Sequence, residues 1–321
     1  MMTKWKYKAA FVNSCCAIKV YTTSRPVYDL IRNHLDFSGA RGPKPGLEIS
    51  FYIDEVNDKN PYDNKNFVYN SYFDDDKTLS LALGSGIARV TADARKGTVR
   101  GEVISYRECC KETILYLTFF RPLYFILGHH GLFFLHASMV NMGRDRLLIS
   151  GPQNCGKSTV SLALARGGFG LLSDDDCFIR LRGEEIQTFF FPTKMGLNDK
   201  ILSRYPELKP HILKGYRYGG KKRLSLSCVS NQSGTAEKSR CKAIIFPDYK
   251  TGCKNVRLKE ISRIESMNRL TREHWILGKM EHRRMFWAFY LLTKKARSFK
   301  LIYNDDVLDE ISGAVKKALS F

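Results

Sequence analysis

A nine-residue segment near the middle of the chain has the residue types and spacing of a loop that binds the phosphates of a nucleoside triphosphate. Gly151-Pro-Gln-Asn-Cys-Gly-Lys-Ser-Thr159 fits the pattern G-x-x-x-x-G-K-[ST]. Glycines at both ends let backbone N–H groups approach phosphate oxygens, because no Cβ intervenes. Lys157 would supply a cation for the β- and γ-phosphates, and Ser158 a hydroxyl for Mg²⁺. The predicted nucleotide-binding positions are Gly151, Asn154, Cys155, Gly156, Lys157, Ser158 and Thr159.

The segments on either side of this motif predict the structural context that such a loop needs. Residues 146–150 form an apolar run typical of a buried strand, and residues 158–166 have helical spacing that ends at Gly167-Gly168. Aligned N–H groups at the start of a helix favour the negative charge of a phosphate. A chance match to the pattern is the alternative, and a strand before the motif with a helix after it argues against chance.

Three consecutive aspartates lie seventeen to nineteen residues after Lys157. They follow the apolar run 170–173, which predicts a strand ending in Asp174, Asp175 and Asp176. Carboxylates at the carboxyl end of such a strand are expected beside the phosphate-binding loop. One could hold Mg²⁺ together with Ser158, and another could accept the proton of an attacking hydroxyl. The alternative is a solvated turn, where aspartates are common.

Two further features predict polar or charged groups near the phosphates. His136 lies on an apolar strand, fifteen residues before Gly151, and either approaches the phosphates or metal or is a hydrogen-bonded core residue. The basic trio Lys221-Lys222-Arg223 either binds phosphate oxygens or lies on a solvent-facing loop.

The composition limits the classes of partner. Among 321 residues, 52 Lys and Arg against 32 Asp and Glu give a net charge of +20, which favours anionic partners. The basic residues are scattered, without an arginine-rich tail or an aromatic-plus-basic RNA signature, which argues against nucleic acid. Nine cysteines without any C-x-x-C spacing favour neither a disulfide framework nor a zinc site, and we expect a cytoplasmic protein. The most apolar stretch, residues 114–127, is too short to span a bilayer.

Patterning along the chain predicts two domains. Residues 1–105 show short alternating runs and turn residues, so we expect a small β-rich N-terminal domain. Residues 106–321 contain the motifs and alternate strand and helix signals. Within them we expect a helix from 106 to 128 broken or kinked at Pro122, mixed helix and loop over 199–216, and helical structure from 262 onward. The last helix is expected after an Asn304-Asp305-Asp306 cap.

Three segments together resemble the HPr serine kinase/phosphorylase family. They are Leu135-His-Ala-Ser-Met-Val140, Leu147-Leu-Ile-Ser-Gly-Pro-Gln-Asn-Cys-Gly-Lys-Ser-Thr159 and Ala165-Arg-Gly-Gly-Phe-Gly-Leu-Leu-Ser-Asp-Asp-Asp176. The family combines a histidine-bearing strand, a phosphate-binding loop and an Asp-Asp strand end at nearly these intervals. The resemblance covers residues 107–181 and implies an α/β (α+β) fold with a P-loop-containing catalytic domain related to phosphoenolpyruvate carboxykinase.

The resemblance also implies an activity and residue roles. The implied cofactors are ATP and Mg²⁺, with phosphate transferred to a serine-type hydroxyl of a peptide, protein or small molecule. Carried over by position, Lys157 contacts phosphates, Ser158 and Asp175 bind the metal, Asp174 is the acid/base, and His136 lies near the phosphates. Thr159 stands where the family has an acidic residue.

Two other readings of the motif stay open. One is an ATP-binding sensor that transfers no phosphate. The other is a conventional nucleotide-loop ATPase, whose second aspartate would be Asp248, and Pro247 argues against a strand there. The sequence leaves the acceptor and a homo-oligomeric state open.

Overall fold

The structure is a computed structural model that describes residues 5–12, 16–35, 46–56, 69–75, 77–83, 88–103, 111–191, 194–218, 220–229, 240–272 and 279–321. The contacts within the chain divide it into two units, Met1–Leu132 with Ile276–Arg283, and Phe133–Trp275 with Arg284–Phe321. We call them unit 1 and unit 2. The predicted domain boundary at residue 105 stays a prediction. The mixture of helices with several mixed sheets confirms an α/β fold class.

Unit 1 is built on a seven-stranded sheet in the order β1-β2-β3-β7-β6-β5-β4. Its strands are β1 (Tyr7–Val12), β2 (Ala17–Thr22), β3 (Glu48–Glu55), β4 (Tyr69–Asp75), β5 (Thr78–Leu83), β6 (Ala88–Asp93) and β7 (Thr98–Val103). The pairs β2–β3 and β3–β7 are parallel, and the others are antiparallel. Buried and less buried residues alternate along β2 and β6, because only one face of the sheet packs on a core. Within the described part of the first hundred residues, strands predominate, and the predicted β-rich N-terminal domain stays a prediction.

The helices of unit 1 differ in one respect from the sequence expectation. Helix α1 (Arg25–His34) begins after Ser24, whose side chain accepts a hydrogen bond from the N–H of Val27. Helices α2 (Lys111–Leu115) and α3 (Arg121–His129) are joined by a π-helical turn, Tyr116–Phe120. Pro122 does not break the helix, because it falls in the first turn of α3, where a missing N–H costs little.

Unit 2 contains an eight-stranded sheet and a small three-stranded one. Its strands are β8 (Leu132–Met142), β9 (Asp145–Ser150), β10 (Gly170–Ser173), β11 (Asp176–Arg182), β12 (Glu185–Phe190), β13 (Met195–Leu197), β14 (Ile212–Tyr218), β15 (Lys221–Leu224), β16 (Arg240–Tyr249), β17 (Arg257–Glu260) and β18 (Arg297–Tyr303). The large sheet has the order β12-β11-β8-β9-β16-β18-β17, with β10 paired to β8. Strands β9, β16 and β18 run parallel, and β8 is antiparallel to β9. The small sheet has the order β13-β15-β14.

Three segments of unit 2 correct the sequence analysis. Residues 212–216, expected in mixed helix and loop, lie in β14, and residues 297–303, expected to be helical, form β18. Strand β18 lies between β16 and β17, and Phe299, Leu301 and Tyr303 are buried at alternate positions. Pro247 does not end β16, because it lies beyond Ile245, the last residue of β16 that pairs with β9.

The described part of unit 2 contains five α-helices. They are α4 (Lys157–Arg166), α5 (Asp199–Arg204), α6 (Arg263–Thr271), α7 (Lys279–Lys295, which begins in unit 1) and α8 (Ile311–Leu319). The side chain of Asn304 accepts hydrogen bonds from the N–H groups of Asp306 and Val307 in the turn before the last helix, but α8 begins only after Glu310, which makes no side-chain capping hydrogen bond, so the predicted cap of this helix is wrong. Val160 of α4 and Val315 of α8 share one buried cluster with Ile149 and Ile245 of the sheet. Burial of each such side chain contributes about 1.5–3 kcal/mol. In the part of the chain that the structure describes, no helix is both long and apolar enough to cross a membrane.

Candidate functional site

The glycine-rich loop, residues 151–156, connects the end of β9 to the start of α4. Three of its residues have positive φ angles: Gly151 (151°), Asn154 (65°) and Gly156 (100°). Left-handed residues turn successive N–H groups toward a common point, which makes a concave site for an anion. Gly156 also has no room for a side chain, because a Cβ there would lie 2.0 Å from the Oη of Tyr303. The loop conformation thus requires glycine at position 156.

Lys157 is the first residue of α4, and its ammonium group lies within the curve of the glycine-rich loop. Its Nζ donates hydrogen bonds to the carbonyl oxygens of Gly151 at 2.9 Å and Pro152 at 3.0 Å. The side chain is buried. The loop, the helix N-terminus and this cation together form a positively polarised concavity.

Asp174 is held at the centre of a hydrogen-bond network next to the loop. It follows β10 directly and is completely buried. The Oγ of Ser158 is 3.0 Å from each of its carboxylate oxygens. The Oγ of Ser138 donates at 2.8 Å and the N–H of Gly196 at 3.0 Å. Asp174 therefore ties together β8, α4 and β13.

The environment of Asp174 disfavours its charge. Burial raises the pKa of this carboxyl group, and the negative charge of Asp175 raises it further. The hydrogen bonds from Gly196 and Ser138 and the positive charge of Arg223 act in the opposite direction, without cancelling the effect of burial. A cation bound at this carboxylate would relieve the same cost.

Asp175 lies in a different environment from its neighbour. Its φ angle is +75°, a left-handed conformation that is uncommon for a residue other than glycine. This turn leaves 28% of its side chain exposed, whereas Asp174 and Asp176 are buried. The Oδ1 of Asp175 is 4.0 Å from the Nζ of Lys157 and 3.9 Å from the Nε2 of His136. Asp176 begins β11, and its carbonyl oxygen accepts a hydrogen bond from Ser173.

His136 reaches the same place from β8. Desolvation by the surrounding protein, with the positive charges of Lys157 and Lys221, lowers the pKa of His136 to about 3, and the charge of Asp174 opposes this shift only partly. The imidazole is therefore neutral near pH 7. In that form it can donate or accept a hydrogen bond, but it adds no positive charge to the site.

Lys157, Ser158 and Asp175 border a cleft of about 160 Å³ in unit 2, whereas Asp174 and His136 are not among its lining residues. Its lining residues are Asn154, Gly156, Lys157, Ser158, Thr159, Asp175, Gly196, Leu197, Asn198, Ile201 and Lys221. Six of them were predicted from the sequence. Cys155 and Gly151, also predicted, belong to the glycine-rich loop but are not among the lining residues.

The sequence analysis did not identify Gly196, Leu197, Asn198 and Ile201 as site residues. They come from β13 and α5, and the pairing of β13 with β15 places them there. The only local signal in this segment is Asn198, whose side chain caps α5 by accepting a hydrogen bond from the N–H of Ile201.

Comparisons with known proteins do not assign a function to this chain. No protein-family model matches the chain, and no curated protein matches its sequence. Among solved structures, the HPr(Ser) kinase/phosphatase from Coxiella burnetii is similar over 58% of this chain and 95% of that chain, with 13% sequence identity and a TM-score of 0.29. At that TM-score the likeness carries no functional argument.

Proposed function

We propose that this chain is an ATP-dependent phosphotransferase that transfers the γ-phosphate to a hydroxyl group of a peptide, protein or small molecule. The observation that carries the proposal is the contact of Ser158 with both carboxylate oxygens of Asp174, in the first turn of α4 beside Lys157. A hydroxyl and a carboxylate next to an anion-binding loop are the groups that hold Mg²⁺ on nucleotide phosphates.

The donor set fits Mg²⁺ bound together with a nucleotide. Among the residues that the structure describes, no group of three or more His, Cys, Asp and Glu side chains could hold a metal ion alone. Mg²⁺ keeps several waters and binds through one or two carboxylates plus substrate phosphates, so Ser158 and Asp174 suffice as its protein ligands. When bound, Mg²⁺ would neutralise charge on the phosphate oxygens.

The contacts favour roles for Asp174 and Asp175 that are the reverse of those expected from the sequence. The assignment of Asp174 as acid/base and Asp175 as metal ligand stays a prediction. However, Asp174 is fully buried and contacts Ser158, the other expected metal ligand, whereas Asp175 borders the cleft that an acceptor would enter. We therefore assign the metal to Asp174 with Ser158, and the proton to Asp175.

In the proposed reaction the acceptor hydroxyl oxygen forms a bond to the γ-phosphorus while the bond from phosphorus to the β–γ bridging oxygen breaks. The electron pair of that bond stays on ADP, and the hydroxyl proton passes to Oδ1 of Asp175. Lys157 neutralises charge on the phosphates. The Nε2 of neutral His136 is 3.9 Å from the Oδ1 of Asp175, which is beyond hydrogen-bond distance, and His136 would instead orient the acceptor hydroxyl by hydrogen bonding.

A transfer assay tests the proposal. Purified protein is incubated with γ-labelled ATP, Mg²⁺ and heat-treated cell extract, and small molecules are then separated from polypeptides. We expect label in one fraction with the wild type and none with Lys157→Ala, because the loop cation is lost. Measurable ATP binding by the wild type without transfer in either fraction would contradict the phosphotransferase and favour an ATP-binding sensor.

A further inference from the structure

The three consecutive basic residues of β15 lie in three different environments. Lys221 borders the cleft. The Nζ of Lys222 is 2.5 Å from the Oδ1 of Asp199, in an ion pair near the surface. Arg223 is buried, and its Nη1 donates to the carbonyl oxygen of Lys194 at 2.8 Å. Of the three, Lys221 is therefore the one that borders the cleft, whereas the charge of Arg223 acts on the buried Asp174.

The backbone and a glycine position Lys221. It pairs with Tyr218 across the β14–β15 hairpin, where Gly220 has a φ angle of +72°. Its aliphatic chain passes close to Gly196, because a Cβ at position 196 would lie 3.2 Å from the Cδ of Lys221. Gly196 also donates to Asp174. The same short strand, β13, thus supports the buried carboxylate and makes room for the lysine.

The charge of Lys221 is directed at the site. Among the described ion pairs of the chain, Lys221 takes part in none, whereas Lys222 is paired with Asp199. Its positive charge acts on His136, on which the charges of Lys157 and Asp174 also act and which lies 3.9 Å from Asp175. Of the cleft-lining residues, Lys157 and Lys221 are the two cations, and they come from the first turn of α4 and from strand β15 of the small sheet, respectively.

We propose that Lys221 is a second phosphate-binding cation, which contacts the γ-phosphoryl group and favours ATP over ADP. This inference rests on the proposed function. Lys157 lies within the curve of the glycine-rich loop, where the inner phosphates would bind, whereas Lys221 enters the cleft from the small sheet. Negative charge on the transferred group is spread over three oxygens, and a cation outside the loop can contact those that the loop does not.

Calorimetric titration with Mg²⁺ and either ADP or a non-hydrolysable ATP analogue tests this role. For Lys221→Met we expect the affinity for the ATP analogue to fall about tenfold or more, because a charge-assisted hydrogen bond is lost, and the affinity for ADP to change less than about threefold. Lys222→Met is the matched control, one residue away with the same charge, and should bind both nucleotides like the wild type. Lys221→Arg retains the charge and should retain most of the preference for ATP.

The outcomes separate this inference from the proposed function. If Lys221→Met loses affinity equally for ADP and the ATP analogue, or loses no affinity at all, the assignment of Lys221 to the γ-phosphate is overturned. If the wild type binds both nucleotides and Lys157→Ala binds neither, the proposed function survives that result. If the wild type binds neither nucleotide, both proposals fail. Thermal unfolding of each variant shows whether a loss of binding reflects a loss of folding.

Discussion

Asp174 and Asp175 are neighbours in the chain, yet they have opposite environments. The first is completely buried and accepts hydrogen bonds on both oxygens, while the second is 28% exposed through a left-handed backbone turn. A carboxylate that abstracts a proton must reach the acceptor, and one that holds a metal next to Ser158 need not reach it. In the proposed reaction, the backbone conformation at Asp175 therefore assigns different roles to two identical side chains.

Substituting each aspartate separately distinguishes these roles. We expect Asp175→Asn to bind Mg²⁺ and ATP like the wild type but to lose transfer by about a hundredfold or more, because the proton acceptor is gone. We expect Asp174→Asn to lose the Mg²⁺-dependent part of ATP affinity. The measurements are calorimetric titration with Mg²⁺ or with a chelator, and the rate of label transfer. Full transfer by Asp175→Asn, with loss of transfer but intact binding in Asp174→Asn, would instead support the assignment made from the sequence.

The raised pKa of Asp174 predicts how stability depends on pH. Burial raises this pKa above its ordinary value of 3.8, so between the two values the folded protein binds more protons than the unfolded chain. The free energy of unfolding must then fall as the pH rises through that interval. Asp174→Asn does not titrate there. In urea unfolding without Mg²⁺, the variant should gain stability relative to the wild type between pH 4 and pH 7. A difference that stays constant with pH would contradict the raised pKa.

At the scale of elements, the contact between the glycine-rich loop and β18 supports the site. Gly156 has a φ angle of +100°, and a Cβ there would lie 2.0 Å from the Oη of Tyr303. Two separate costs therefore oppose a side chain at this position, one from the backbone conformation and one from the steric overlap. Strand β18, which the sequence analysis did not predict, thus restricts position 156 of the loop to glycine.

A double-mutant cycle measures the two costs. Gly156→Ala is expected to lower the free energy of unfolding by about 2 kcal/mol or more, since strain and overlap add. Tyr303→Phe removes the Oη atom, so in its background Gly156→Ala should cost less, leaving mainly the backbone term. Urea unfolding of the four proteins gives the coupling. If the cost of Gly156→Ala is the same in both backgrounds, Tyr303 does not restrict the loop.

Local patterns predicted the elements that carry the motifs but not the elements that complete the site. The strand before the loop, helix α4 and strand β10 could be identified because apolar runs and glycines mark them within a few residues. Strand β13 has three residues, and its place in the cleft depends on pairing with β15, more than twenty residues away. Strand β18 mixes basic and apolar residues, and its neighbours β16 and β17 decide that it is extended. The left-handed turn at Asp175 likewise has no marker in three identical aspartates.

At the scale of the whole molecule, the net charge of +20 produces a general attraction for anions that must be distinguished from the site. Many basic side chains are exposed and form pairs at the surface, such as Arg297 with Glu260 and Arg240 with Asp145. Salt screens interactions of exposed charges strongly, whereas partly buried groups are screened much less. Lys157 is 5% exposed, so salt should screen its interaction with a bound phosphate only weakly.

Ionic strength therefore separates the two kinds of anion binding. Between 50 and 300 mM KCl, we expect the affinity for heparin, a polyanion without a nucleotide, to fall by orders of magnitude, because many screened contacts are lost together. The affinity for Mg²⁺ and the ATP analogue should fall only about threefold, because a few buried groups hold the phosphates. Lys157→Ala changes the net charge by one in twenty and should bind heparin like the wild type while losing the nucleotide. Parallel loss of both ligands with salt, and retention of the nucleotide by Lys157→Ala, would mean that the ATP analogue binds the basic surface rather than the glycine-rich loop.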